Sequence, residues 1–204
     1  HFGHKAAEND RARYQRRGPD PTTQLILEQL RPITRPGDTL LDVGGGIGVI
    51  GLELQTHGLK EVVLVDAAPS YLAVAQRLFA NTAPSVQFRV VPGDFTDLSP
   101  PPTADIVTLD RVVCCYPDYR ALLERAAASA RGALALSFPK DRWYVRLVFR
   151  VENLIRRVTG NAFRAFVHPP SEMAAVLAGA GWRRLGQRST LAWCVERWGR
   201  TDAV

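Results

Sequence analysis

The 204-residue sequence is poor in the residues that build metal sites and disulfide scaffolds: three cysteines, four histidines and one methionine. Cys114 and Cys115 are adjacent, Cys194 stands alone, and no C-x-x-C spacing occurs. That argues against a zinc site or a disulfide framework, so no metal is expected, and it suits a reducing cytoplasm. No apolar run approaches the roughly 18 residues that would span a bilayer. No apolar stretch followed by a small-residue cleavage site opens the chain, so the expected location is cytoplasmic. Internal repeats and low-complexity tracts are missing as well. What is present is ordinary: 46% hydrophobic and 23% charged residues, enough for one domain with its own core.

Negative charge is scarce at both ends. Residues 1–35 carry seven basic and four acidic groups, and residues 140–200 carry twelve and four. Residues 36–139 reverse the balance with seven and eleven. Basic ends can meet nucleic acid, anionic lipid or an anionic small substrate. A solvated, Arg-rich surface explains them as well and outweighs the nucleic-acid reading. The apolar face and basic stripe of residues 141–158 leave a membrane surface open as a partner, though not the favoured one, and the oligomeric state is not addressed by the sequence.

Along the chain, Arg11 to Arg17 is a basic polar opening, broken by Pro19 and Pro21. Thr22–Leu30 places Leu25, Ile26 and Leu30 at helical spacing. Short apolar runs at 39–43, 61–65, 105–109 and 133–138, and the alternation of Val86, Phe88 and Val90 over 85–90, read as strands. Helical patterns at 49–55, 70–80 and 119–130 separate them. Such alternation with short links marks a parallel sheet with helices on both faces. The pattern then changes. Residues 141–158 predict a long helix with Trp143, Leu147, Val151, Leu154 and Val158 on one side. A helix over 171–180 and two antiparallel strands over 182–188 and 191–198 follow. The stretch 140–168 reads as an insertion after the fifth strand.

The segment Asp42-Val43-Gly44-Gly45-Gly46-Ile47-Gly48 follows a strand and opens a helix. Glycines there let the backbone approach a ligand, and the helix N-terminus offers N–H groups to it. Gly46-Ile47-Gly48-Val49-Ile50-Gly51 also spells G-x-G-x-x-G, and Asp66 follows Gly46 by 20 residues, as in dinucleotide sites. Taken alone, the loop leaves both ligand classes open.

Four features distinguish them. Asp42 precedes the glycines in an Asp-x-Gly-x-Gly-x-Gly pattern, which resembles motif I of the class I S-adenosylmethionine (SAM) methyltransferases. Val65-Asp66-Ala67 ends the second strand, as their ribose-binding acid does. Gly93-Asp94-Phe95 follows the third strand, similar to the element that holds their adenine. Leu109-Asp110-Arg111 ends the fourth, where cofactor and substrate meet. The resemblance spans residues 22–198 and implies a Rossmann-like, mostly parallel seven-stranded α/β sheet. It also implies SAM as cofactor, S-adenosylhomocysteine as product, and cofactor binding by Asp42, Gly44, Gly45, Gly46, Asp66, Ala67, Gly93, Asp94, Phe95, Asp110 and Arg111.

A narrower resemblance runs through the second half. Leu109 to Pro117 is similar to the Asp…His-Tyr-Pro segment of magnesium-protoporphyrin O-methyltransferases, with Cys115 standing where they have histidine. Leu136 to Lys140, Ala165-Phe166-Val167-His168 and Gly181-Trp182 resemble further segments of that group.

Methyl transfer from a sulfonium is an in-line displacement, in which alignment does much of the work. A carboxylate acceptor is already ionised at neutral pH, whereas a hydroxyl usually needs a base. His168 is the candidate base and Tyr116 a candidate orienting hydroxyl. Tyr14, in the N-terminal arm, is a candidate to close over the site. Arg142, Arg146 and Arg150 recur every fourth residue beside Trp143, a stripe suited to an anionic or aromatic substrate. The expectation is a SAM-binding domain over 36–204 with a helical cap inserted at about 140–168, and residues 1–35 as an arm and helix forming part of the lid. The expected activity is methylation of a small molecule, at a carboxylate or hydroxyl oxygen. A nucleic-acid methyltransferase, an NAD-dependent oxidoreductase and a non-enzymatic SAM-binding module are the rivals.

Overall fold

A computed structural model describes residues 3–201. Seven strands form one sheet: β1 (Thr39–Val43), β2 (Glu61–Asp66), β3 (Gln87–Pro92), β4 (Ala104–Leu109), β5 (Ala130–Pro139), β6 (Trp182–Ser189) and β7 (Trp193–Arg200). Their spatial order is β3-β2-β1-β4-β5-β7-β6. The first five are parallel, in register Leu41↔Val63 and Leu41↔Val107 across the centre. Strand β7 runs antiparallel to both its neighbours. The helices are α1 (His4–Arg17), α2 (Pro21–Leu30), α3 (Val49–Leu54), α4 (Pro69–Thr82), α5 (Tyr119–Ser129), α6 (Trp143–Val158) and α7 (Pro170–Gly179).

The central strands are apolar on both sides because both faces are covered. Successive residues point to opposite faces, so Leu40, Val62, Ile106 and Ala133 meet Ile26, Leu27, Leu30, Leu54, Leu78 and Phe79 from α2, α3 and α4. Leu41, Val63, Val107 and Leu134 meet Leu122, Leu123, Ala126, Met173 and Leu177 from α5 and α7. Pro21, Pro69 and Pro170 each occupy the first turn of a helix, where a missing N–H costs nothing. The Asp118 carboxylate caps α5 by accepting from the Ala121 amide at 3.1 Å.

Two segments differ from the sequence expectation. The basic opening is helix α1, although only Ala7 among its residues is fully buried. Polar contacts hold it: the Tyr71 hydroxyl donates to Asp10 at 2.7 Å, the Tyr14 hydroxyl donates to Glu53 at 3.0 Å, and Arg77 of α4 pairs with Glu8. A helix docked this way leaves no apolar stripe to read. Helix α6 begins at Trp143, and its apolar side faces solvent instead of the sheet: Trp143 is 77% and Val158 78% exposed. Its inward residues are Val145, which is buried, and Phe149, whose ring meets Trp193 at 6.5 Å. The Asn153 side chain, on the same side, donates to the Ala165 carbonyl at 2.7 Å and accepts from its amide at 2.9 Å.

Candidate active site

Between β1 and β4 the strand order reverses direction, the place where open α/β sheets bind ligands beyond the carboxyl ends of their strands. A cavity of about 750 Å³ opens there. The glycine loop forms its floor. Gly44 has φ +61°, and a Cβ on it would lie 2.7 Å from a Val112 methyl. At Gly45 a Cβ would lie 2.1 Å from the Asp42 carboxylate, so the loop can sit over that acid only without a side chain.

Asp42 is fully buried and accepts from the Thr108 hydroxyl at 2.7 Å, while its Oδ2 has no hydrogen-bond partner among the described residues. Burial pushes its carboxyl up to about 7; the Thr108 bond opposes this, and the charges of Asp110 and Asp66 add to it. Asp66 ends β2 and accepts from the Gly46 amide at 3.0 Å and the Ala68 amide at 2.8 Å. Burial raises its pKa against those two bonds. Asp110 accepts from the Thr23 and Ser137 hydroxyls, both at 2.5 Å. Arg111 adopts a left-handed φ of +60°; its amide donates to Ser137 at 2.8 Å and its guanidinium pairs with Asp20 at 3.0 Å.

The cavity thus gathers Asp42, Gly44, Gly45, Gly46, Asp66, Asp110, Arg111 and Tyr14 from the sequence candidates. The Tyr14 hydroxyl is turned to Glu53. The remaining candidates are not among the lining residues. Asp94 accepts from the Thr96 amide and hydroxyl and from the Tyr116 hydroxyl, at 2.8, 2.7 and 2.8 Å. Desolvation opposes its ionisation, but these bonds outweigh it and hold the carboxyl below its ordinary value. Tyr116 therefore serves Asp94, and its own hydroxyl is pushed up by burial and by that carboxylate. Ala67 and Gly93 flank this acidic edge outside the cavity, and the Phe95 side chain lies in the core, 1% exposed, leaving only its backbone to a ligand.

His168, the expected base, is not among the lining residues. Its Nε2 lies 2.9 Å from the Tyr116 carbonyl, its ring packs between Tyr119 and Phe166, and burial lowers its pKa. It ties the end of the insertion to the loop after β4. The basic stripe is also displaced from the site: Arg146 is engaged by Asp141, while Arg142 and Trp143 stand exposed at the start of α6.

Several lining residues carried no sequence signal. Asp10 and Arg13 arrive on α1, Asp20 and Thr23 at the start of α2, and Tyr71 near the start of α4. The far wall is aromatic and apolar: Tyr144, Val145, Val148, Phe149, Phe163 and Trp193, with Arg156 stacked over the Phe163 ring at 5.2 Å. Only the insertion's position after the fifth strand hinted at this wall.

The strand order, the glycine loop at the switch point and the acids ending β1 and β2 together make the fold that of the class I SAM-dependent methyltransferases. Residues 40–132 match the family model described as a methyltransferase domain. Over 77 residues the chain is 34% identical to the ribosomal protein L11 methyltransferase of Streptococcus uberis, covering 38% of this chain and 24% of that protein. The chain thus matches about a quarter of the length of that curated relative. Magnesium protoporphyrin IX methyltransferase from Synechocystis PCC 6803, solved with bound S-adenosylhomocysteine, superposes with a TM-score of 0.70 at 20% identity, over 88% of this chain and 81% of that one. An O-methyltransferase family protein from Burkholderia thailandensis gives 0.73 at 19% identity, over 90% and 56%.

Proposed function

We propose that the protein is a SAM-dependent methyltransferase acting on a small molecule at a carboxylate oxygen. The observation that carries this reading is the arrangement of acids around one cavity: Asp42 under the glycine loop, Asp66 at the end of β2, and Asp110 after β4. These residues suit the two ends of SAM. Asp66 has each oxygen occupied by one amide, which leaves a second lone pair on each for the ribose hydroxyls. Asp42, sealed beneath the glycine loop, suits the amino-acid ammonium through its charge, without touching it. Asp94, outside the cavity lining but held ionised and oriented by Tyr116, is suited to accept from the adenine amino group.

SAM, when bound, supplies a methyl group on a positively charged sulfur. The chain's own residues then align an acceptor and exclude water. An acceptor that needs no deprotonation asks of the chain only alignment. A carboxylate meets that condition, and Arg13, Arg111 and Arg156 are the arginines of the lining that could face it. The aromatic wall of Phe149, Phe163 and Trp193 fits an apolar body on the acceptor, and the cavity volume lies within the range of small-molecule sites, about 300–1,000 Å³.

Calorimetric titration with S-adenosylhomocysteine tests the cofactor, with NAD as control. Micromolar binding of the first and none of the second is expected, and Asp66→Ala should weaken it by more than about tenfold. Binding of NAD alone, or unchanged affinity in the variant, overturns the assignment. Methyl esters formed from carboxylated aromatics, detected by mass spectrometry, test the acceptor class.

A further inference from the structure

We propose that α6 docks the protein on the surface of an anionic lipid bilayer, with the mouth of the cavity turned toward the membrane. Of nine exposed large hydrophobic residues among those described, seven lie on this one helix: Trp143, Leu147, Val148, Val151, Leu154, Ile155 and Val158. At about 3.6 residues per turn they form one continuous arc along its outer side. A contiguous exposed apolar surface of this kind marks an interaction site. The outward orientation is built in, because Asn153 clasps the backbone of Ala165 from the opposite side and Val145 is buried beneath.

Charge selects the partner. Arg146, Arg150 and Arg157 are exposed and follow at steps of four and seven residues, so they run in a row beside the Trp143–Leu154 edge of the arc. Residues 140–164 hold seven basic groups and two acidic ones. An apolar arc edged by arginines is the pattern of a helix lying in the interface plane: the arc enters the acyl boundary while the guanidinium groups reach anionic headgroups. A second copy of the chain would offer the same positive charge. A nucleic acid would leave the apolar arc unmatched. No helix among the described residues is long and apolar enough to cross a membrane, so the contact is peripheral.

The arc is continuous with the cavity. Val148 belongs to both, and Leu191, 82% exposed on the β6–β7 turn, lines the mouth beside it. Docking by α6 therefore sets the aromatic wall against the acyl boundary, where a lipophilic acceptor dissolves. The docking does not depend on the methyl-transfer reading, since vesicle binding needs no cofactor. Failure of S-adenosylhomocysteine binding and failure of docking are read separately.

The test is co-sedimentation of the full chain with vesicles of phosphatidylcholine alone and of phosphatidylcholine with about 30% phosphatidylglycerol. Binding to the anionic vesicles, weakened by salt and accompanied by a blue shift of tryptophan emission, is expected. The double variant Leu154→Glu/Ile155→Glu should lose binding by at least about tenfold, and Arg150→Glu/Arg157→Glu should lose it comparably. All four positions are exposed, so thermal unfolding should be unchanged in both variants. The proposal is overturned by no binding to the anionic vesicles, by equal binding to neutral ones, or by binding that survives either variant. It is equally overturned if light scattering shows a dimer that Leu154→Glu/Ile155→Glu dissolves while vesicles go unbound, which would assign the face to a second copy.

Discussion

Asp42 combines complete burial, one satisfied oxygen and one unsatisfied oxygen, and this has a consequence for stability. Its carboxyl titrates near 7 in the folded protein, against an ordinary value of 3.8. Between those values the folded state binds more protons than the unfolded state, so stability falls as pH rises from about 4 through about 7. Urea unfolding at pH 5 and pH 8 should show the native protein losing a few kcal/mol over that interval, and Asp42→Asn should remove most of the slope. A variant with the same slope as the native protein would mean that another group carries it. In the ligand site the sign reverses: an ionised Asp42 is what an ammonium requires, so S-adenosylhomocysteine affinity should rise through about pH 7 in the native protein and be flat for Asp42→Asn. This residue was legible in the sequence from its place before three glycines. His168 shows why spacing alone does not assign chemistry. Its position at the end of the insertion suggested a base, yet its ring is spent on the Tyr116 carbonyl and on Tyr119 and Phe166.

At the scale of elements, β1, β2, β4 and β5 were legible because a strand buried on both faces needs a largely apolar run, as in Glu61–Asp66, while β3, at the edge of the sheet, was legible from alternation. Helix α1 was not legible, since its docking rests on hydroxyl and ion-pair contacts to Glu53, Tyr71 and Arg77. Those contacts also predict its behaviour. The Tyr14→Phe/Tyr71→Phe variant should raise amide hydrogen exchange across residues 4–17, because two bonds from hydroxyls to carboxylates are worth about 1.5–3 kcal/mol each. The strands should keep their protection. Exchange in α1 equal to that of the native protein would mean that its packing on α4 suffices without the hydroxyls. Helix α6 has the opposite lesson: its apolar residues were visible, but periodicity reports only that a face exists, and not what covers it.

For the whole molecule, two apolar layers enclose one sheet, and residues of β1 contribute to both. Leu41→Ala removes a fully buried side chain from the centre of that sheet and should cost about 2–5 kcal/mol, measured by denaturant unfolding. The transition should stay single, since the sheet is shared by both layers. Two transitions in the variant would show that the layers unfold separately.

The sequence by itself determined the sheet-and-helix alternation, the glycine loop and the acids at the strand ends, because each is written in local terms: apolar runs, turn residues and side-chain size. The cavity was decided by tertiary structure. Its walls come from α1, the start of α2, the insertion and the β6–β7 turn, segments far apart in the chain whose contacts are few, polar and specific. Such contacts leave no periodic trace, so only the folded chain reveals that Asp110 faces Thr23, that Tyr116 serves Asp94, and that the apolar side of α6 is turned outward.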